Sequence, residues 1–246
     1  MTLSTNIAMS RLVAQQRALE VAANNMANAN TPGYKVERVL FSDWLSRQRN
    51  VDPPAGGRVV AYTQDRATWR EDQAGTVTHT ANPFDLALTG DGFFTVQTPQ
   101  GPRLTRDGRF GPRPDGTLAD GAGAAVLDAN GRPIQLSPAD TRITIAGDGT
   151  ISSENGELGR IGVVRVTDKM RMTAEGNTNF RADAPTAPLP APGIVQGAME
   201  DSNVKPVVEM TRMMAELREF QLVTQFVQAE SDRQKDAIDK ILTPRG

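Results

Sequence analysis

The side chains able to do chemistry in this sequence are few and scattered. His79 is the single histidine, and it stands among threonines in "TVTHT". An isolated imidazole with no acid or nucleophile beside it reads as a strand or surface residue, not a general base. Asp85 and Asp91 bracket the run "LALTG". They form a carboxylate pair of the kind sugar hydrolysis uses, supported only by their nearness in the chain. Asp148–Gly149 invites a calcium reading, but alternating acidic ligands and a distal glutamate are missing, so turn chemistry explains it. "TGDGFF" is not followed by the Gly-Lys-Ser/Thr of a phosphate loop. No His, Asp and Glu fall at metal-ligand spacing. There is no cysteine, which removes disulfides, thiolate metal sites and a cysteine nucleophile. No catalytic residue, no metal site and no cofactor is therefore expected.

The densest polar feature is "NNMANANTPGYK", which places Asn24, Asn25, Asn28 and Asn30 at the end of a good helical run, "LVAQQRALEVAA". Asn is a poor helix former because its amide competes for nearby backbone groups. Asn24 and Asn28 are four apart, on one helix face. Ala18, Ala22, Asn25 and Ala29 make a neighbouring stripe of short side chains. Each amide both donates and accepts. Two readings stay open on the residues alone: a frayed, capped helix end, or a close contact with another chain.

The elements around this feature follow a heptad. Leu12, Leu19 and Met26 step by seven, with Ala8, Gln15 and Ala22 at the other seam position. Thr2 and Ser4 are candidate N-caps. Asn30, Pro32 and Gly33 mark the exit, so a helix is expected over about residues 4–29. Gly33 is expected at positive φ. A β-branched residue there is expected to disturb assembly and leave the β domain's stability unchanged. At the other end Met213, Phe220, Val227, Gln234 and Ile241 step by seven, and so do Met210, Leu217, Thr224, Ser231 and Ile238. Leu222, Val223 and Phe226 lie off that seam, so the apolar face is wider than a two-stranded zipper needs and implies a larger bundle. Pro206 lies in the first turn, where a missing N–H costs nothing. Each helix alone reads as an amphipathic helix on its own core. Two at the extreme ends suggest that the ends pair, parallel or antiparallel.

The middle differs. "DLALTG", "GFFTVQ", "RITIAG" and "IGVVRVTD" are short strand-like runs, separated by the turns "TPQG", "RPDG", "DANG", "GDG" and "ENG". The expected fold class is α+β. Long N- and C-terminal helices form a coiled-coil bundle, and a central, mainly antiparallel β barrel or sandwich lies between them. The expected division is 1–33, N-terminal helix; 34–80, extended or mixed connector; 81–182, β domain; 183–201, Pro-rich return segment; and 202–246, C-terminal helix. With 38% hydrophobic and 5% aromatic residues, 22 Gly and 16 Pro, a turn-rich chain with one modest core fits better than a compact enzyme. A net charge of −2 argues against nucleic-acid binding. No apolar run approaches the roughly 20 residues of a membrane helix. The N-terminal stretch lacks the basic and apolar regions of a cleavable signal peptide.

Three blocks carry a family resemblance. "LVAQQRALEVAANNMANANTPGYK" resembles the N-terminal motif shared by the rod and hook proteins of the bacterial flagellum. "NPFDLALTGDGFFTVQTPQGPRLTRDGRF" resembles the start of that family's central domain, and "QGAMEDSNVKPVVEMTRMMAELREFQ" its C-terminal motif. They occur in the family's order. Length and the compact middle are most similar to the proximal rod branch, with the distal rod or hook type as the alternative. The resemblance implies a structural subunit, not an enzyme. Its partners would be other copies of itself and neighbouring rod proteins, with the flagellar export apparatus in transit. It would assemble helically through its terminal helices in the periplasm-spanning basal body, where it would transmit torque from motor to hook. Export would be uncleaved, with the chain ends unfolded until assembly. The implied subunit interface comprises Leu12, Leu19, Asn24, Asn25, Met26, Asn28, Asn30, Met210, Met213, Leu217, Phe220, Val227, Ile238 and Ile241, with Pro32 and Gly33 as the helix exit. The sequence departs from the family where an acidic residue and a tyrosine are usual: Lys205 and Phe220 stand there. Lys205 cannot accept, so the cap is expected at Ser202 or Asn203. A reading from a different class is a secreted carbohydrate-binding or hydrolase β domain, which would need convergent polar groups in a cleft.

Overall fold

The computed structural model describes residues 3–46 and 60–242. Thr2 and the loop stretch "RQRNVDPPAGGR" lie outside the described residues. The chain divides into two units. One comprises Met1–Ala27, Glu37–Glu71 and Lys205–Gly246; the other comprises Asn28–Val36 and Asp72–Val204. Among the described residues no helix is long and apolar enough to cross a membrane.

The first unit holds helix α1 (Leu3–Ala27), strands β1 (Glu37–Ser46) and β2 (Val60–Arg70), and helix α2 (Pro206–Leu242). Pro206 opens α2, where its missing N–H is not needed, and the Lys205 carbonyl accepts from Glu209 N at 3.0 Å. Lys205 therefore stands at the cap position, where Ser202 or Asn203 was expected. Ser202 Oγ accepts from Val204 N at 3.2 Å, and Asn203 Oδ1 from Val36 N at 2.7 Å. Residues 37–70, of mixed character in the sequence, contain an antiparallel hairpin paired from Glu37–Arg70 to Ser46–Val60, with a bulge after Leu40. The two helices run antiparallel: Asn25 meets Glu209, and Gln15, ten residues earlier, meets Glu219.

The second unit is built from short strands, and every pairing described within it is antiparallel. The four runs read as strands appear as Leu86–Leu88, Phe93–Thr98, Ile143–Ile145 and Val163–Val166. The largest sheet is open and has Phe93–Thr98 inside it. No closed barrel forms among the described residues, because many strands are only two or three residues long and cannot carry a continuous staggered ladder. The Pro-rich return segment contributes the strand Thr186–Pro188, with Pro188 opposite Val164 at the sheet edge, where a missing donor is tolerated.

Alternation in "FFTVQT" sends Phe94 and Val96 into the core at 0% exposure. There Phe94 packs edge-on against Phe110 at 5.1 Å, with Leu86, Leu118, Ile151 and Ile161 around it. Burying each such side chain stabilises by about 1.5–3 kcal/mol. A smaller cluster joins Leu104, Val166, Met172 and Phe180.

One polar knot is buried in this unit. Glu200 is 1% exposed. Its Oε1 accepts from Lys35 Nζ and from Gly75 N (3.0 Å), and its Oε2 accepts from Arg106 Nε (2.9 Å) and Nη2 (2.8 Å). Arg106 also donates to the carbonyls of Gly90 (2.8 Å) and Gly92 (2.7 Å). Burial pushes the Lys35 ammonium below its ordinary value, while the Glu200 carboxylate works against that shift. Gly33 packs beside this knot. Its N–H donates to the Glu200 carbonyl at 2.7 Å, its φ is +67°, and an added Cβ would stand 2.4 Å from the Arg106 carbonyl carbon. The positive φ agrees with the expectation from sequence. The expected indifference of the β domain does not: Gly33 belongs to that unit and touches its backbone.

Gly33→Ala should destabilise the second unit, by about 1–3 kcal/mol from the backbone conformation alone, with the clash adding to it. Urea unfolding checks this, and an unchanged midpoint would refute it. A further expectation concerns pH. Glu154 accepts from Thr141 N (2.8 Å), Thr141 Oγ1 (2.8 Å) and Arg142 N (3.0 Å). The backbone N–H of Thr141 leads these donors in holding its carboxyl down to about 2. A depressed acid stabilises in full above its ordinary value of about 4.3, and that contribution is lost as the pH falls toward its folded value. Melting temperature should therefore fall from about pH 5 to about pH 2, and fall less in Glu154→Gln. Parallel curves for the two proteins would contradict the assignment.

Candidate functional site

The terminal helices and the base of the hairpin share a polar cluster within the first unit. Asn25 is fully buried. Its Oδ1 accepts from Glu37 N at 2.8 Å, and its Nδ2 donates to Glu37 O at 2.9 Å and to Glu209 Oε2 at 3.2 Å. One carboxamide thus pairs with the backbone as a neighbouring strand would. Glu209, 1% exposed, accepts from Arg38 Nη1 at 2.6 Å, and Arg38 Nε donates to Glu71 at 2.8 Å. Across the hairpin Arg70 pairs with Glu37 at 2.8 Å. Glu209 also sits in the first turn of α2, where the helix dipole favours a carboxylate. An acid following Pro206 within one turn was the available signal for it. Arg38 and Glu71 carried no periodic or spacing signal.

Along the helix pair, the line facing inward on α1 is Ala8, Gln15 and Ala22, all buried, with Ala14 and Val21 beside it. Leu12, Leu19 and Met26 are half-buried on its flank. Gln15 Nε2 (3.0 Å) and Arg11 Nη2 (3.1 Å) both donate to Glu219 Oε2, while the buried Gln15 Oε1 has no partner among the described residues. On α2 the better-covered positions are Glu209, Met213, Glu216, Phe220, Val223, Val227 and Glu230. Burial, with the nearby charge of Glu219, pushes the Glu216 carboxyl up. Met213, Phe220 and Val227, of one predicted heptad line, are half-buried. The second predicted line is turned outward: Met210 is 52% and Leu217 46% exposed. Ile238 is 55% exposed and lies past the level where α1 begins. Ile241 falls in α2, and its side chain lies outside what is described. Asn24 and Asn30 are exposed, Asn28 and Pro32 half-buried, and Thr31 N donates to the Asn28 carbonyl at 3.1 Å.

The outward apolar surface is extensive. Val207, Val208, Met214, Leu222 and Phe226 are each at least half exposed. A cleft of about 580 Å³ opens between α1 and α2, lined by Ile7, Ala8, Arg11, Glu219, Leu222, Val223 and Phe226. The residues weighed for catalysis are engaged otherwise. His79 is exposed on the strand Val77–His79, opposite Ala198. Asp85 is buried and accepts from Asn82 Nδ2 at 3.0 Å, whereas Asp91 is exposed and pairs with Lys169 at 3.2 Å. Asp148 accepts from Thr150 N at 3.0 Å in an Asx turn.

Known proteins resemble the chain along its length. Residues 6–35 match the family model of the flagella basal body rod protein, residues 87–153 the flagellar hook protein FlgE/F/G D1 domain, and residues 195–240 the flagellar basal body rod FlgEFG protein C-terminal region. The chain is 36% identical to the flagellar basal-body rod protein FlgF of Caulobacter vibrioides, over 96% of each chain. It is 34% identical to FlgF of Mesorhizobium japonicum, again over 96% of each. Against the rod protein FlgG of Bacillus subtilis the identity is 31%, covering 84% of this chain and 86% of the relative. With helices at both ends, an antiparallel β unit in the middle and these relatives spanning nearly its whole length, the chain belongs to the flagellar basal-body rod protein family, as a FlgF-like member of it.

Proposed function

We propose that this chain is a structural subunit of the bacterial flagellar rod that assembles helically through its two terminal helices. It is not an enzyme. The exposed apolar side chains of α2 carry the proposal. In water the exposed Met210, Met214 and Leu217 on one side of α2, and Leu222 and Phe226 on another, are unfavourable, and covering each large side chain gains on the order of 1.5–3 kcal/mol. Neighbouring copies and other rod proteins cover them, so that Met213, Phe220 and Val227 hold α2 to α1 while Met210, Leu217, Ile238 and Ile241 meet other subunits in a coiled-coil bundle. Leu12, Leu19, Asn24, Met26, Asn28 and Asn30 belong to the same surface from the side of α1. The orphan Gln15 Oε1 and the groove lined by Phe226 supply a polar and an apolar receptor for incoming side chains. The shaft so formed transmits torque from motor to hook. Passage through the flagellar export apparatus without signal cleavage, and a position across the periplasm, complete this reading.

Leu217→Asp tests it. An unpaired carboxylate at a contact that closes against neighbours adds a desolvation penalty of several kcal/mol to the lost apolar burial. Rods and motility should be abolished in a strain carrying only the variant. The purified chain should keep its β circular dichroism and its melting temperature, because Leu217 is 46% exposed in the single chain. Normal rods would refute the assignment of this face. Loss of the β signal would show instead that the residue serves the fold of its own chain.

A further inference from the structure

The β unit contains a cleft that rod assembly through the terminal helices leaves unused. Its volume is about 330 Å³, within the range of small-ligand sites, and it opens among three turns, at residues 97–100, 122–124 and 175–179. Asn179 lines it and is 7% exposed, yet its Oδ1 is buried with no hydrogen-bond partner among the described residues. A buried acceptor left unmatched is unfavourable and calls for a donor. The adjoining turn is strained. Gly176, Asn177 and Thr178 follow one another at φ +85°, +48° and +57°. A β-branched residue in the left-handed region is a genuine outlier. The surroundings fix it: Asn179 N donates to Gly176 O at 2.9 Å, Glu175 N to Asn179 O at 2.9 Å, and Thr105 Oγ1 to Thr178 O at 3.2 Å. Backbone held in this way clusters at ligand clamps.

The lining defines the chemistry of an occupant. Exposed carboxamides at Gln97, Gln100 and Asn177 face the same space as Asn179, and each both donates and accepts. Charge is balanced in the lining, where Arg103 Nε donates to Glu175; Arg181, outside the lining, donates to the other Glu175 oxygen at 3.0 Å and to Asp183 at 3.1 Å. That disfavours a strongly charged ligand. Among the described residues no aromatic or long aliphatic side chain lines the cleft, which disfavours an apolar one. At Gly123 and Gly176 an added Cβ would meet nothing within 4 Å, so the rim is open at both glycines. We propose that this cleft binds a neutral saccharide unit, whose adjacent hydroxyls match the carboxamides and of which one donates to Asn179 Oδ1.

Amide-resolved NMR of the full chain tests this, with titration by chitotriose, cellotriose and maltotriose. At least one should give saturable shifts confined to residues 97–103, 122–124 and 175–179. Gln100→Ala and Asn179→Leu should each weaken that binding about tenfold, the loss of one hydrogen bond's discrimination. Should Asn179→Leu not fold, Gln100→Ala together with Asn177→Ala decides the matter by the same loss of binding. No saturable shift with any of the three at tens of millimolar overturns the proposal. So do shifts elsewhere in the chain, or binding that the carboxamide substitutions leave unchanged.

Discussion

A carboxylate withdrawn from water must be neutralised where it sits, and Glu200 imposes that condition on the β unit. Lys35, Gly75 and Arg106 come from three distant segments to meet its two oxygens. Arg106 then reaches back to the carbonyls of Gly90 and Gly92, and Gly33 docks its N–H on the Glu200 backbone. Removing such a carboxylate strands two buried cations, whereas an apolar replacement of the whole group is often neutral. The knot matters for deciding which segments meet more than for net stability. The hydrophobic core around Phe94 supplies stabilisation without choosing among similar packings.

The helical unit solves a related problem with less charge. Asn25 gives Glu37 a strand-like partner on a helix, so the hairpin starts with its first backbone groups satisfied. Glu209 links that amide to Arg38. Small residues at Ala8, Ala14 and Ala22 let α2 approach closely, and the larger apolar side chains of α2 at Met210, Met214 and Leu217 are left facing out. A helix pair that buries its alanines and displays its methionines and leucines suits further association better than isolation.

Much of this was legible in the sequence, because it depends on local rules. Positive φ at Gly33, the opening of α2 at Pro206, the strands at Phe93–Thr98 and Val163–Val166 and the turns "RPDG" and "DANG" each follow from a few neighbouring residues. The hairpin of β1 and β2 was not legible, since its flanks show no clean alternation and its pairing is made over a distance. Asn25 illustrates the limit at the candidate site. The type of residue announced hydrogen bonding, but its partners, Glu37 and Glu209, lie 12 and 184 positions away. The second heptad line, Met210 and Leu217, has the right period and faces away from α1. Period alone does not say which of two apolar stripes meets the chain's own partner helix.

The β unit is made of two stretches of chain, Asn28–Val36 and Asp72–Val204, and their pairing has a kinetic meaning. Val36 N is bonded to Asn203 Oδ1 across 167 residues, while Arg11 and Glu219 meet across 208. For an unstructured chain, bringing such distant segments together carries a loop-closure entropy that grows with the logarithm of the intervening length. Once the β unit is folded, that closure has already been made at its exit points. The segment Asn28–Val36 follows directly on α1, and Val204 stands two residues before α2. The pairing of Arg11 with Glu219 thereby approaches the contact order of a local one. A folded β unit thus shortens the loop that the helix pair has to close.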